Sequence, residues 1–314
     1  MESTISGLED QIRRHINRAR TQFVLLQNSQ SWNQLCSSLD VIGDTELCFE
    51  AYEDSHPPPT DGATYLLVYG VLQALVLQQD AVRHMAEALE IPFAPDPLLQ
   101  EIREVRNSSI GHPTKRNRGG ARSHFVSRIS MSKNGFQLMT VHPDHAPGEF
   151  KWVDIPALIS GQRTQLRVIV AQVVSALDAR DQEHRAMFKD TKLVDAFPAV
   201  LDYYFQKVFE STHGGKPVEY GGLHVKLIQE TVERFKSALH DRAGRGAYDA
   251  VEYHIGLVEY PLEELAGYFR SPRPSRLNER DAYIFASFAQ EQMQQLREMA
   301  VEIDSDYEAN GCDI

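Results

Sequence analysis

The sequence predicts a mainly α-helical protein: a helical bundle with an inserted β-hairpin or small antiparallel sheet, followed by a second helical region. Three observations lead there. Apolar residues recur at helical spacing over most of the 314 residues. One stretch, "HFVSRISMSKNGFQLMTVHP" from His124 to Pro143, instead alternates on both sides of Asn134-Gly135, the strongest short-range hairpin signal. Proline and glycine clusters such as "SHPPPTDG" and "RSPRPSR" punctuate the rest.

In chain order, Leu8, Ile12, Ile16, Phe23 and Leu26 form one apolar stripe, so a first helix is expected over about 8–26. A second covers roughly 31–52. After the triple proline at 57–59, Thr60 or Asp61 caps a third helix that continues to about Glu90. "IPFAPDP" connects it to a fourth, from Leu98 to Ile110, carrying Leu99, Ile102 and Val105. The hairpin follows, with "EFKWVDI" as a third strand. Helix returns at about Ile155 and runs, with interruptions, to Asp190. The remainder is helical from Leu193: "LVDAFPAVLDYYFQKVFE", "GGLHVKLIQETVERFKSALHDR", "AYDAVEYHIGLVEYPLEELAGYF" and "ERDAYIFASFAQEQMQQLREMAVEI". "STHGGKP" and "RSPRPSR" read as linkers. The expected domains are 1–190, with the β insertion at about 123–154, and a C-terminal helical domain at 191–314. No repeat of fixed period occurs.

Composition narrows the class. A 42% hydrophobic and 24% charged chain is that of a folded globular protein. The three cysteines, Cys36, Cys48 and Cys312, have neither the spacing nor the even number of a disulfide framework or zinc knuckle, so a reducing cytoplasm is expected. "ATYLLVYGVLQALVL", Ala63 to Leu77, falls short of the ~20 residues of a spanning helix and reads as core. The first residues lack the apolar segment of a signal peptide. Neither membrane insertion nor export is expected.

The net charge of −12 argues against a protein that coats nucleic acid at large. Charge is unevenly placed, however. Arg103, Arg106, Lys115, Arg116, Arg118, Arg122 and Arg128 lie in one segment with a single acid, Glu104. A local basic patch on an acidic body suits a confined polyanion site; a solvated loop is the alternative.

That segment holds "RNSSIGHPTKR", residues 106–116. Arg106 falls near a helix C-terminus, His112 just past Gly111, and Pro113 forbids continuation of the helix. At roughly 100° per residue, six positions leave the two side chains about 120° out of alignment on an unbroken helix. Either unwinding at Gly111 or a second copy must bring them to one phosphate. Guanidinium offers planar donors to phosphate oxygens, and imidazole titrates near neutrality, so the pair suits phosphoryl chemistry without metal. Alternatively, Arg106 and His112 serve only to neutralise and cap the helix end.

The stretch "RNSSIGH" resembles the motif of the HEPN superfamily, small helical bundles that include ribonucleases of toxin–antitoxin and phage-defence systems. The resemblance implies a homodimer whose paired motifs cut RNA through the ribose 2′-hydroxyl, leaving a cyclic phosphate and using no metal or other cofactor. It assigns Arg106 to the scissile phosphate, Asn107 to orienting the site and His112 to acid–base work; the basic residues that follow in sequence, Lys115, Arg116, Arg118 and Arg122, are expected from their charge to bind RNA. It also implies an antitoxin or another defence-system protein as a possible partner. Some members carry a tyrosine two places after the histidine as a modification target; Thr114 stands there, which disfavours that mode of control. The resemblance covers seven residues, with 63–190 as the candidate bundle. The other class of function is a catalytically inactive HEPN-like module that binds a protein partner.

Other candidates are weaker. Arg118–His124 and Arg234–His240 share the spacing without the context. His142 and His145 lack a third metal ligand at a telling distance. "HGGKP" lacks the remainder of a phosphate loop. Tyr203, Tyr204, Phe205 and Phe209 are candidates for base stacking, but their helical spacing with Leu201 and Val208 favours core.

Overall fold

A computed structural model describes residues 4–111, 113, 123–141, 148–215, 217–244, 246–270 and 276–308. The fold is mainly α with a small inserted antiparallel sheet, as the patterning predicts. Its α-helices are α1 (Ile5–Ile16), α2 (Ala19–Leu26), α3 (Ser29–Asp54), α4 (Asp61–Ala88), α5 (Pro97–Arg106), α6 (Ile155–Met187), α7 (Leu201–Thr212), α8 (Val218–Ala243), α9 (Asp249–Arg270) and α10 (Glu279–Glu308). Strands β1 (Ser123–Val126), β2 (Gly135–Val141) and β3 (Glu149–Asp154) lie between α5 and α6.

The chain divides into two compact units. One takes in residues up to Asn17 and Leu25–Ala179; the other takes in Arg18–Val24 and the residues from Arg180 onward. The division falls inside α6, where the sequence reading places it at 190, and α2 straddles it as well. The single helix expected over 8–26 is broken at Asn17. The apolar stripe explains why: Ile5, Leu8, Ile12 and Ile16 are buried in the core of the first unit, whereas Phe23 lies against Gly244 of the second.

In the first unit α3 packs along α4, and α1 and α5 pack on α3 and α4 respectively. Helix starts are fixed by short polar side chains. Asp96 Oδ1 accepts the Leu98 N–H at 2.7 Å with Pro97 at the first helical position, and Thr60 Oγ1 accepts that of Ala63 at 3.2 Å. Two apolar clusters fill the bundle, one around Leu35, Leu39, Val82 and Val170, the other around Phe49, Leu72, Ile102, Phe136 and Ile159. Helix α4 contains a window long and apolar enough to cross a membrane, of which 56% is buried inside the bundle.

A polar chain runs through this interior. Gln78 Nε2 donates to Glu46 Oε1 at 2.6 Å, Gln162 Nε2 donates to Gln78 Oε1 at 2.9 Å, and Gln79 Nε2 donates to Gln162 Oε1 at 2.7 Å. Arg163 closes it at one end by donating to Glu46 Oε2 at 2.9 Å. Such a network ties α3, α4 and α6 in one register, because each buried amide left without its partner costs about 1–3 kcal/mol.

The sheet has the order β1-β2-β3 and is antiparallel throughout. Val126 pairs with Leu138 and Phe125 with Met139; Met139 pairs with Phe150 and Phe136 with Val153. Phe136, Leu138 and Val153 are buried against the helices. The β1–β2 connection is longer than a two-residue hairpin: a 3-10 turn at Arg128–Ser130 precedes the tight turn closed by Ser132 and Gly135. Gly135 is required, because a Cβ there would collide with the Val153 carbonyl. Tyr52 anchors the turn from α3, its hydroxyl donating to the Lys133 carbonyl at 2.8 Å, and burial pushes that hydroxyl up to about 12.

Two other expectations change. Helix α6 is uninterrupted. Beyond it, Leu193–Ala196 form a 3-10 turn and α7 begins only at Leu201. Pro198 disfavours helix at Phe197, and the Asp304 carboxylate takes the Leu193 and Val194 N–H groups at 2.9 and 3.0 Å. The second unit packs α7 on α8, α8 on α9 and α9 on α10 around Phe205, Phe235, Leu262 and Leu296. Arg242 donates to Asp304 at 2.5 Å, and the two side chains are only 3% and 7% exposed.

Candidate functional site

Helix α5 delivers Arg106 at its last turn. Leu99, Ile102 and Val105 face the core at helical spacing, which leaves Arg103 and Arg106 half-buried beside α4. The two arginines meet different partners. Arg103 forms an ion pair with Asp80, Nη2 to Oδ1 at 2.9 Å and Nη1 to Oδ2 at 3.4 Å, so its charge is already met. Arg106 reaches Gln73, about two turns of α4 away from that pair: Nε and Nη2 both donate to Gln73 Oε1, at 3.1 and 2.7 Å. Its Nη1 donates to Asn107 Oδ1 at 3.0 Å. Among the described residues no carboxylate pairs with Arg106. Amides thus hold the guanidinium in place while its charge stays available to an anion.

The backbone past Arg106 widens rather than unwinding. Asn107–Gly111 form a π turn, a one-turn insertion in which the hydrogen-bond spacing grows by one residue. The widened turn buries Ser108 and Ser109, and among the described residues Ser109 Oγ, enclosed by protein, has no hydrogen-bond partner. Gly111 is folded back against the arginine: a Cβ at 111 would stand 2.9 Å from Arg106 Nη1 and 3.4 Å from Asn107 Oδ1. Glycine therefore leaves the room in which the guanidinium sits.

His112, Lys115, Arg116, Arg118 and Arg122 lie outside the described residues, as do His142 and His145. Pro113 ties the motif to the sheet, its carbonyl accepting the His124 N–H at 2.8 Å. Hence the residue after His112 is fixed to the first strand. Arg128 is exposed in the 3-10 turn at the other end of β1. A groove of about 380 Å³ beside α5 is lined by Asp80, Phe93 and Arg103, and Arg106 is outside that lining.

The other motifs separate. His124 bonds Thr140 Oγ1 at 3.0 Å within the sheet. Arg234 and His240 are both exposed on α8. Of the aromatic cluster on α7, Phe205 is buried in the core, while Tyr203 is 46% exposed. Among the described residues no group of three His, Cys, Asp or Glu side chains is placed to hold a metal ion.

Sequence reasoning missed Gln73. It lies in an apolar helix as one of several glutamines, and only the fold distinguishes it from Gln78 and Gln79. Comparison of the chain with known protein families, curated proteins and solved structures finds no match.

Proposed function

We propose that this protein is a metal-independent endoribonuclease of the HEPN type, acting as a homodimer in the cytoplasm in phage defence or toxin–antitoxin growth control, alone or with an antitoxin or other defence protein. The observation that carries the reading is the Arg106 guanidinium, held by Gln73 and Asn107 with no carboxylate partner among the described residues. An arginine meant only to settle a helix end needs neither amide, whereas a phosphate-binding arginine gains from being held in place.

In this reaction the ribose 2′-oxygen attacks the adjacent phosphorus while one His112 removes its proton. The bond from phosphorus to the 5′-oxygen breaks, and the His112 of a second copy protonates that oxygen, leaving a 2′,3′-cyclic phosphate. Arg106 meets the charge that builds on the non-bridging oxygens. Lys115, Arg116, Arg118 and Arg122 contribute positive charge next to the motif in sequence. No metal or other cofactor takes part.

The test is incubation of the protein and of its His112→Ala variant with mixed RNA in excess EDTA, followed by analysis of the 3′ ends. Cyclic-phosphate ends from the wild type alone are expected; RNA left intact by both, with the protein folded, overturns the reading. A second reading, an inactive module that docks a protein, is favoured by the exposed apolar side chains Tyr253, Tyr260, Ile284 and Phe288 on α9 and α10. It predicts intact RNA in both samples and loss of partner binding on substitution of those four residues.

A further inference from the structure

The outer face of the sheet carries aromatic rings that the bundle does not cover. Because directly paired residues share a face, Phe125, Met139 and Phe150 form one row across the three strands, and Gln137 with Trp152 forms the next. Phe125 is 52% exposed, Phe150 61% and Trp152 53%, whereas the opposite face buries Phe136, Leu138 and Val153. The same chain would have given up this apolar surface to aliphatic packing had the sheet been sandwiched between helices. Instead three flat rings lie open on a rigid support, with Trp152 resting over Gly135. Exposed aromatic area of this kind marks a binding surface.

We infer that this face is a stacking platform for single-stranded RNA, leading the strand to Arg106. Three features select that occupant. Unpaired bases stack on aromatic side chains supported by antiparallel strands, and the stacking tolerates any base. Positive charge accompanies the strands: Arg128 is exposed just beyond β1, and the sequence that precedes β1 carries Lys115, Arg116, Arg118 and Arg122. On the strands themselves the only carboxylate on the aromatic side is Asp154, whose Oδ1 accepts the Ala157 N–H at 3.0 Å at the start of α6. The Pro113–His124 bond then joins the platform to the motif. The choice of RNA over other single strands rests on the ribonuclease reading; the stacking does not.

The experiment uses the full chain with His112→Ala, so that RNA is not consumed, and Trp32→Phe, so that Trp152 is the remaining tryptophan of two. A short oligouridylate should quench Trp152 emission saturably, and Phe125→Ser or Phe150→Ser should weaken binding about tenfold or more. Both substitutions lie on the surface, and circular dichroism checks that they leave the fold intact. Unchanged emission, equal affinity in the ring variants, or equal quenching by fully paired RNA overturns the platform. So does a wild-type dimer that the ring substitutions convert to monomer without altering RNA binding, because the face would then be covered by a second copy. Quenching without cleavage by the wild type leaves the platform standing and removes the ribonuclease reading; cleavage without quenching does the reverse.

Discussion

Arg106 donates twice to one oxygen, Gln73 Oε1, from Nε at 3.1 Å and from Nη2 at 2.7 Å. A neutral amide therefore fixes the direction of a cation whose charge it does not cancel. If that cation meets the scissile phosphate, the identity of residue 73 controls the reaction without touching RNA. Gln73→Ala should lower single-turnover cleavage by up to about 10²-fold through loose positioning. Gln73→Glu should lower it further, because a carboxylate in the same place competes with phosphate for the guanidinium. Equal rates in Gln73→Glu and the wild type would contradict the assignment of Arg106.

Gly111 gives a second handle on the same group. Gly111→Ala puts a methyl group 2.9 Å from Arg106 Nη1, the mobile end of a long side chain. The arginine should shift rather than the backbone, so unfolding in urea should change by less than about 1 kcal/mol. Cleavage should fall sharply all the same. Parallel losses of stability and activity would instead mark the glycine as structural.

The buried glutamine chain sets the stability of the first unit. Gln162→Leu removes the donor to Gln78 Oε1 and the acceptor of Gln79 Nε2 together. Urea denaturation should show a loss of about 3 kcal/mol, the sum of two stranded amides. A neutral outcome would mean that water replaces the lost partners.

In the second unit, Asp304 is the counter-ion of buried Arg242 and the acceptor for two backbone N–H groups. Asp304→Ala should destabilise by about 3–5 kcal/mol, because it leaves a buried charge uncompensated. The urea midpoint of full-length protein checks this.

His184 gives that unit a pH dependence. Burial, and next the nearby charge of Arg20, hold its imidazole below the usual value, and its Nε2 lies 3.0 Å from the Tyr307 hydroxyl. The unfolded chain then binds the proton more readily than the folded one. This contribution is fully present above the unfolded value of about 6.5, and it is lost as pH falls from there through the folded value. Melting temperature should drop over that acid window, and His184→Phe should flatten the drop.

The elements were legible where one physical signal dominated. Asn134-Gly135 announced the hairpin, Thr60 the start of α4, and the spacing of Leu99, Ile102 and Val105 the buried side of α5. Other features depend on tertiary partners that no local pattern records. The apolar stripe of 8–26 hides a break because Ile16 is buried in the core of the first unit, whereas Phe23 lies half-buried against Gly244 of the second. The helix expected at Leu193 yields to a 3-10 turn because a carboxylate more than a hundred residues later claims two of its N–H groups. At the candidate site, Arg106 and Asn107 stood out through the motif, whereas Gln73 acquires its role only when α4 and α5 pack together. The aromatic rings were visible as strand residues, but which side they faced became plain only once the register was known.

The most direct test of the proposed function concerns the nucleophile. Matched single-stranded substrates, one of RNA and one with 2′-O-methyl ribose throughout, are incubated with the wild-type protein in excess EDTA. Cleavage of the RNA to cyclic-phosphate ends, with the 2′-O-methyl strand left whole and bound with similar affinity, is the expected result. Cleavage of both strands, or of the RNA only when divalent metal is restored, would contradict attack by the 2′-hydroxyl and with it the role given to Arg106 and His112.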